Sequence, residues 1–199
     1  MRTGAAVLLA GVFLALLVLG ASPARSAPQL AHSVLDVGDS LSVGTAPYLE
    51  AHLRGYRIVA DRSLGLHASD AASVVWKRAA SLQAILVVSA GTNDDPRIVS
   101  TFSRAVTQVV TAAGSERCVV WPTIVRPPAV GASYDGLNRA LAHVAAQHRN
   151  LVLVDWVGLV RRHPEWLAGD GVHVSVEGYR ARAAAISAAV TTKCPRAIA

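Results

Sequence analysis

The sequence predicts one three-layer α/β/α domain on a five-stranded parallel sheet, and three observations carry that expectation. Short β-rich runs alternate with longer amphipathic stretches. Three of the runs, Ile85–Val88, Val119–Trp121 and Leu151–Val154, are apolar without alternation, as strands buried on both faces are. No internal repeat, low-complexity tract or linker interrupts the series, so a single doubly wound domain accounts for it.

Taken in order, a first strand is expected over Ser33–Val37 and a first helix over Leu41–Leu53. Asp36 is an unusual residue for a buried strand, and the sequence offers no account of it. The next pairs are strand Arg57–Ala60 with helix Ser69–Leu82, then strand Ala84–Ser89 with helix Ile98–Ala113. In the last of these Ile98, Phe102, Val106, Val109 and Val110 share one face, and Gly114 supplies the stop. Strand Cys118–Trp121 leads into the longest irregular stretch, Pro122–Ser133, which holds three prolines. Because it follows a strand, it belongs at the carboxyl edge of the sheet, where open α/β folds place their ligands. Helix Tyr134–His148, strand Leu151–Asp155 and helix Ser175–Thr192 complete the chain.

Composition narrows the function classes. Of 199 residues, 52% are hydrophobic and 16% charged, which excludes intrinsic disorder. Two cysteines are too few for a structural zinc cluster or a disulfide-built miniprotein. The first 27 residues have the order of a secretory signal peptide: Arg2, an apolar run from Ala5 to Ala21, then Ala21-Ser22-Pro23-Ala24-Arg25-Ser26-Ala27. Ser22-Pro23-Ala24 favours cleavage after Ala24, and cleavage after Ala27 would put Arg25 in a poor position. An uncleaved anchor is the alternative, since 17 residues is the lower limit for a span. The expected mature domain is 28–199, secreted or held in the cell envelope, monomeric and with no membrane contact after cleavage. Without Arg2 and Arg25 the formal charge falls from +6 to +4, scattered rather than clustered, so nucleic acid is not an expected partner. Heavy use of Ala and Arg with two Lys points to a GC-rich bacterial source.

Export makes Cys118 and Cys194 a candidate disulfide, with two separately buried thiols as the alternative. Topology favours the bond. Cys118 begins a strand and Cys194 follows a helix running antiparallel to it, so both fall at the amino edge of the sheet.

Three short stretches could carry chemistry. Gly38-Asp39-Ser40-Leu41 lies between the first strand and helix, where a Ser hydroxyl is exposed and its N–H opens a helix; the same pattern also caps helices. Gly91-Thr92-Asn93-Asp94 follows the third strand and offers a neutral side-chain amide donor, or simply a turn before Pro96. Asp170-Gly171-Val172-His173 precedes the last helix, with a carboxylate placed to hold an imidazole in one tautomer. The rival bases His67, His143 and His163 have no acid three residues ahead. Neither His-x-x-x-His nor Cys-x-x-Cys spacing occurs, so no metal or cofactor is expected. All three stretches sit on one rim, and together they hold a nucleophile, a base, its orienting acid and an oxyanion donor, the set acyl transfer needs.

From about Val34 to Ala189 the chain resembles the SGNH (GDSL-type) hydrolase superfamily, whose fold is flavodoxin-like. The resemblance implies Ser40 as nucleophile and oxyanion donor, Gly65 as the second donor through its N–H, Asn93 as the third through its amide, and Asp170 and His173 as acid and base. Two departures stand out. Val174-Ser175 replaces the Pro-Asn that often follows the His, and Arg62-Ser63 precedes Gly65 in place of an Asn. The implied activity is hydrolysis of short acyl esters, acetyl above all, on a small alcohol or an acylated glycan. Pro122–Ser133 and Trp166 are the expected walls of a shallow cleft. An O-acyltransferase acting on a cell-wall glycan and a non-catalytic carbohydrate-binding domain are the alternatives.

Overall fold

The structure, a computed structural model, describes residues 32–194; the leader and both cleavage points lie outside the described residues. Strands β1 (Ser33–Gly38), β2 (Arg57–Arg62), β3 (Ile85–Ser89), β4 (Cys118–Pro122) and β5 (Leu151–Val154) form one parallel sheet in the order β2-β1-β3-β4-β5. Helices α1 (Ser40–His52), α2 (Ala68–Lys77), α3 (Val99–Ala113), α4 (Asp135–Gln147), α5 (Trp156–Arg162) and α6 (Val176–Lys193) cover its two faces and edges. The expected single three-layer domain is the one the chain forms. Helix α5 and the 3₁₀ turn Pro164–Trp166 are additions; seven residues or fewer are too short to show a helical period. The helix expected over Ser69–Leu82 ends at Lys77, and a 3₁₀ turn, Ala79–Ser81, takes up its last part. Among the described residues no helix is long and apolar enough to cross a membrane.

Pleating explains why the central runs carry no alternation. Every residue of β1, β3 and β4 is buried, because both sheet faces are covered. Leu35, Val37, Leu86, Val88, Val119 and Trp121 face a core closed by Val75, Phe102, Val106 and Leu141 of α2, α3 and α4. Val34, Ile85, Val87 and Val120 face the opposite core, closed by Leu49 of α1 and Ile186 and Val190 of α6. Each fully buried side chain of this kind contributes about 1.5–3 kcal/mol.

Asp36 points into the second face and is 1% exposed. Ser42 Oγ donates to its Oδ1 at 2.9 Å, and Arg62 Nε donates to its Oδ2 at 2.8 Å. Burial pushes the Asp36 carboxyl up, and the Arg62 guanidinium opposes that rise. Arg62 extends on to Glu50, at 3.2 Å from Nη2. The acid that had no account in the sequence is thus one half of an ion pair between neighbouring strands.

Cys118 and Cys194 are joined in a disulfide with Cα atoms 5.6 Å apart. It ties the start of β4 to the end of α6, at the amino edge of the sheet.

Two outcomes are expected on stability. Arg62→Ala removes the ion-pair partner of buried Asp36, leaving only the Arg182 charge to oppose its burial, and should cost about 3–5 kcal/mol, whereas Glu50→Ala removes an exposed partner and should cost less than about 1 kcal/mol. Urea unfolding of both variants checks this, and equal losses would refute the ranking. Cutting the disulfide releases a loop with a sequence separation of 76. Guanidinium melts with and without a thiol reductant should differ by up to about 4–5 kcal/mol.

Candidate active site

The carboxyl edge of the sheet is where the functional candidates gather. At the end of β1 the chain turns directly into α1. A Cβ added at Gly38 would meet Ser42 Cβ at 2.5 Å and the Ser89 carbonyl oxygen at 2.9 Å, so only glycine permits the turn so close to β3. Asp39 is the helix cap: its Oδ1 accepts the Leu41 N–H at 3.0 Å. Burial pushes its carboxyl up, with the buried Arg182 charge opposing. Because the neighbouring acid does the capping, the Ser40 hydroxyl is left for the rim. Its N–H is in the first turn of α1, where a helix has no internal acceptor to offer.

A compact loop between the Pro164–Trp166 turn and α6 carries the other two groups. Leu167 and Val174 bridge across its neck, Ala168 N–H donates to His173 O at 2.8 Å, and Ser175 N–H donates to Trp166 O at 2.7 Å. Trp166 stacks between His163, 4.2 Å away, and buried Trp156, 6.0 Å away. The Arg182 guanidinium lies 5.2 Å from the ring centre of Trp156 and donates to Ser89 Oγ at 2.7 Å. Burial brings Arg182 down to about 10, with Asp39 and Asp36 opposing. Ser175 Oγ caps α6 by accepting the Gly178 N–H at 3.2 Å, a task that Val174-Ser175 performs without the more usual Pro-Asn.

Within this loop Asp170 Oδ1 accepts the N–H groups of Val172 at 2.9 Å and His173 at 3.0 Å. Its Oδ2 lies 2.6 Å from His173 Nδ1, and His173 Nε2 lies 2.8 Å from Ser40 Oγ. The hydrogen bond from His173, followed by those from the two backbone N–H groups, lowers the Asp170 carboxyl to about 2. An ionised carboxylate only accepts, so the neutral ring carries its proton on Nδ1 and offers Nε2 to the serine hydroxyl. Such a chain can take a proton from Ser40 as its oxygen attacks.

Ser40, Asn93, Asp170 and His173 line one open cavity of about 360 Å³, with Arg126, Pro127, Pro128, Ala129 and Val172. The expected wall at Pro122–Ser133 is therefore present. Trp166 is not part of that wall; it packs behind the loop in the aromatic stack. Gly65 does not line the cavity either. It follows Leu64 in a turn closed by Leu66 N–H to Ser63 O, 3.2 Å, with φ of 74°. The turn reaches the site through Leu66, whose carbonyl accepts from Asn93 Nδ2 at 3.3 Å. His67, His143 and His163 stand outside the cavity, the last two bonded to Gln147 and Glu165. Among the described residues no three His, Cys, Asp or Glu side chains converge as a metal ligand set. Sequence reasoning missed Arg126 and Arg182. Arg126 is a lone charge before two prolines inside a stretch already marked as a wall, which was its only signal.

A parallel sheet with this rim of serine, imidazole, carboxylate and amide defines a hydrolase of the SGNH type. The chain belongs to the GDSL-like Lipase/Acylhydrolase family, whose family model matches residues 36–181. No curated protein gives a significant match. Among solved structures, it is similar to the catalytic domain of peptidoglycan O-acetyltransferase A from Streptococcus pneumoniae, captured with a methylsulfonyl adduct. That match has TM-score 0.69 and 20% identity, over 82% of this chain and 95% of that one. It is also similar to the psychrotrophic esterase EstA of a Pseudoalteromonas species, with TM-score 0.64 and 14% identity over 80% and 97% of the two chains. A family 3 carbohydrate esterase from Clostridium thermocellum matches with TM-score 0.61 and 14% identity over 84% and 98%. At these identities the likeness establishes the fold.

The lowered Asp170 fixes an expectation for pH dependence. Its ordinary value is 3.8 and its value here about 2, so it stays ionised as pH falls and is lost as an acceptor only near the lower figure. Above about pH 3 the acid limb of kcat/KM should then follow one ionisation, not two. A pH–rate profile with a second acid-side ionisation that disappears in Asp170→Asn would contradict this.

Proposed function

We propose that this protein is an exported serine esterase that removes short acyl groups, acetyl above all, from a small ester or an acylated glycan. The observation that carries the reading is the unbroken chain Ser40 Oγ, His173 Nε2, His173 Nδ1, Asp170 Oδ2, with contacts of 2.8 and 2.6 Å. His173 Nε2 takes the Ser40 proton as Ser40 Oγ adds to the ester carbonyl. Asp170 holds the ring and stabilises the imidazolium. The Ser40 N–H and the Asn93 amide receive the oxyanion; the Gly65 N–H, in the turn beside the cavity, is the third donor that the resemblance implies. Collapse expels the alcohol, which leaves with the proton from His173. Water, deprotonated by the same nitrogen, then releases the acid from the acyl-enzyme.

Several features support the finer points. An open cavity of about 360 Å³ walled by Pro127, Pro128 and Ala129 suits a small acyl group more than a long chain. The openness also leaves room for the alcohol part to be bulky. The order of residues 1–27, with cleavage after Ala24 or Ala27, and the Cys118–Cys194 bond support export to an oxidising compartment. The esterase domain is then 28–199, and the mature protein acts as a monomer. Water as the acceptor is consistent with a site so open to solvent.

Nitrophenyl esters of increasing chain length, given to the mature protein beside Ser40→Ala and Asn93→Ala, test the reading. Turnover should fall steeply beyond butyrate. Ser40→Ala should abolish it without loss of folding, and Asn93→Ala should lower kcat about 10²–10³-fold, or about 2.7–4 kcal/mol. Full activity in Ser40→Ala would overturn the assignment.

A further inference from the structure

The cavity has one wall whose chemistry the proposed mechanism does not use. Arg126 follows β4 by four residues and its backbone is held firmly. Thr123 N–H donates to Val154 O at 2.9 Å, and the Asn138 side chain clamps Ile124 from both sides, accepting its N–H and donating to its carbonyl, each at 2.8 Å. The side chain then crosses to the third strand's loop. Arg126 Nη1 donates to Thr92 O at 2.7 Å and lies 3.5 Å from Asn93 Oδ1. Its guanidinium sits 5.8 Å from the ring centre of Tyr134, and the Tyr134 hydroxyl donates to Asp94 O at 3.1 Å. Tyr134 is 4% exposed. Two contacts from one side chain and one from its stacking partner therefore converge on Thr92-Asn93-Asp94.

The polarity of these partners matters more than their number. A primary amide has an accepting end and a donating end of nearly the same shape, and a half-turn exchanges them. A guanidinium only donates, so the end of Asn93 facing Arg126 is the oxygen. A carbonyl only accepts, so the end facing Leu66 O, at 3.3 Å, is the nitrogen. In the flipped state the amide N–H₂ would face a cation and the amide oxygen would face a carbonyl oxygen. Both contacts would turn repulsive together.

We propose that Arg126 is a positioning residue that locks the Asn93 amide with its oxygen on the Arg126 side and its N–H₂ end on the Leu66 side, so that the amide N–H not spent on Leu66 stays a donor for the oxyanion. The inference rests on the reading of Asn93 as an oxyanion donor. Arg126 touches no reacting atom in this role; it acts through Asn93. Because the oxyanion exists only after attack, losing the lock slows turnover and leaves substrate binding almost unchanged.

A double-mutant cycle on the full chain separates this role from a structural one. With 4-nitrophenyl acetate, Arg126→Met should lower kcat roughly 10–100-fold while KM stays within about twofold. Arg126→Lys, which keeps a charged donor that reaches one acceptor at a time, should recover part of the loss. In the Asn93→Ala background, Arg126→Met should cost less than about threefold more, because its target is gone. The rate of Ser40 labelling by a phosphonate ester should follow the same pattern and needs no turnover. Losses that multiply across the cycle, an unchanged kcat in Arg126→Met, or a loss confined to KM for anionic esters would overturn the inference. Should Arg126→Met fail to fold, Arg126→Lys carries the same cycle. If Ser40→Ala and Asn93→Ala retain activity, the reading of the site itself has failed. If they lose it and the cycle is multiplicative, only the role of Arg126 falls.

Discussion

Parallel pairing at the carboxyl edge of the sheet is the constraint on which the site depends. Strands that run the same way all release their chains at the same rim. Here the rim is stitched one step further by main-chain bonds. Asp39 N–H donates to Ser89 O at 3.0 Å, and Ser63 N–H donates to Gly38 O at 2.9 Å. Three segments that are 20 or more residues apart along the chain leave the sheet already in register. Side chains inherit their positions from that backbone, and the order β2-β1-β3-β4-β5 places β1, which leads into Ser40, between two strands that donate loops.

Charge buried beneath the rim is the second layer of organisation. Asp36 and Asp39 flank the turn on the strand and helix sides, and Arg62 and Arg182 answer them from β2 and α6. Such groups are costly to desolvate and costly to separate. They do not add much net stability, yet any rearrangement of the turn would strand one of them. Arg182 also faces Trp156, and Trp156 faces Trp166. A chain of flat groups thus connects the turn before Ser40 to the loop that bears Asp170 and His173. The same chain of contacts links the two parts of the site that are farthest apart in sequence, Ser40 and His173.

How much of this was readable in advance follows from the range of each interaction. The β1, β3 and β4 runs announced themselves because burial on both faces leaves a mark on every residue. Asp170 and His173 were readable for a similar reason, since three residues of loop set their relation. Asp36 was visible as an oddity but not explicable, because Arg62 meets it only once β1 and β2 pair. Arg126 was hidden for the same reason: its meaning comes from Thr92 and Asn93, which lie more than 30 residues earlier. Trp166 was read as a wall of the cleft and packs behind the loop instead, because a side chain's neighbour along the chain does not say which way it faces. Gly65 lies in a turn beside the site without lining the cavity, a distinction that no spacing in the sequence encodes.

The disulfide has a meaning beyond strength. Ser33, where β1 begins, and Cys194, where α6 has ended, both lie at the edge of the sheet remote from the cavity. Any tether fixed at either place, whether a surface linker or a grafted partner, would hold the domain by its base. The mouth would then look outward, and a polymer too large to enter could lay a single decorated unit across it.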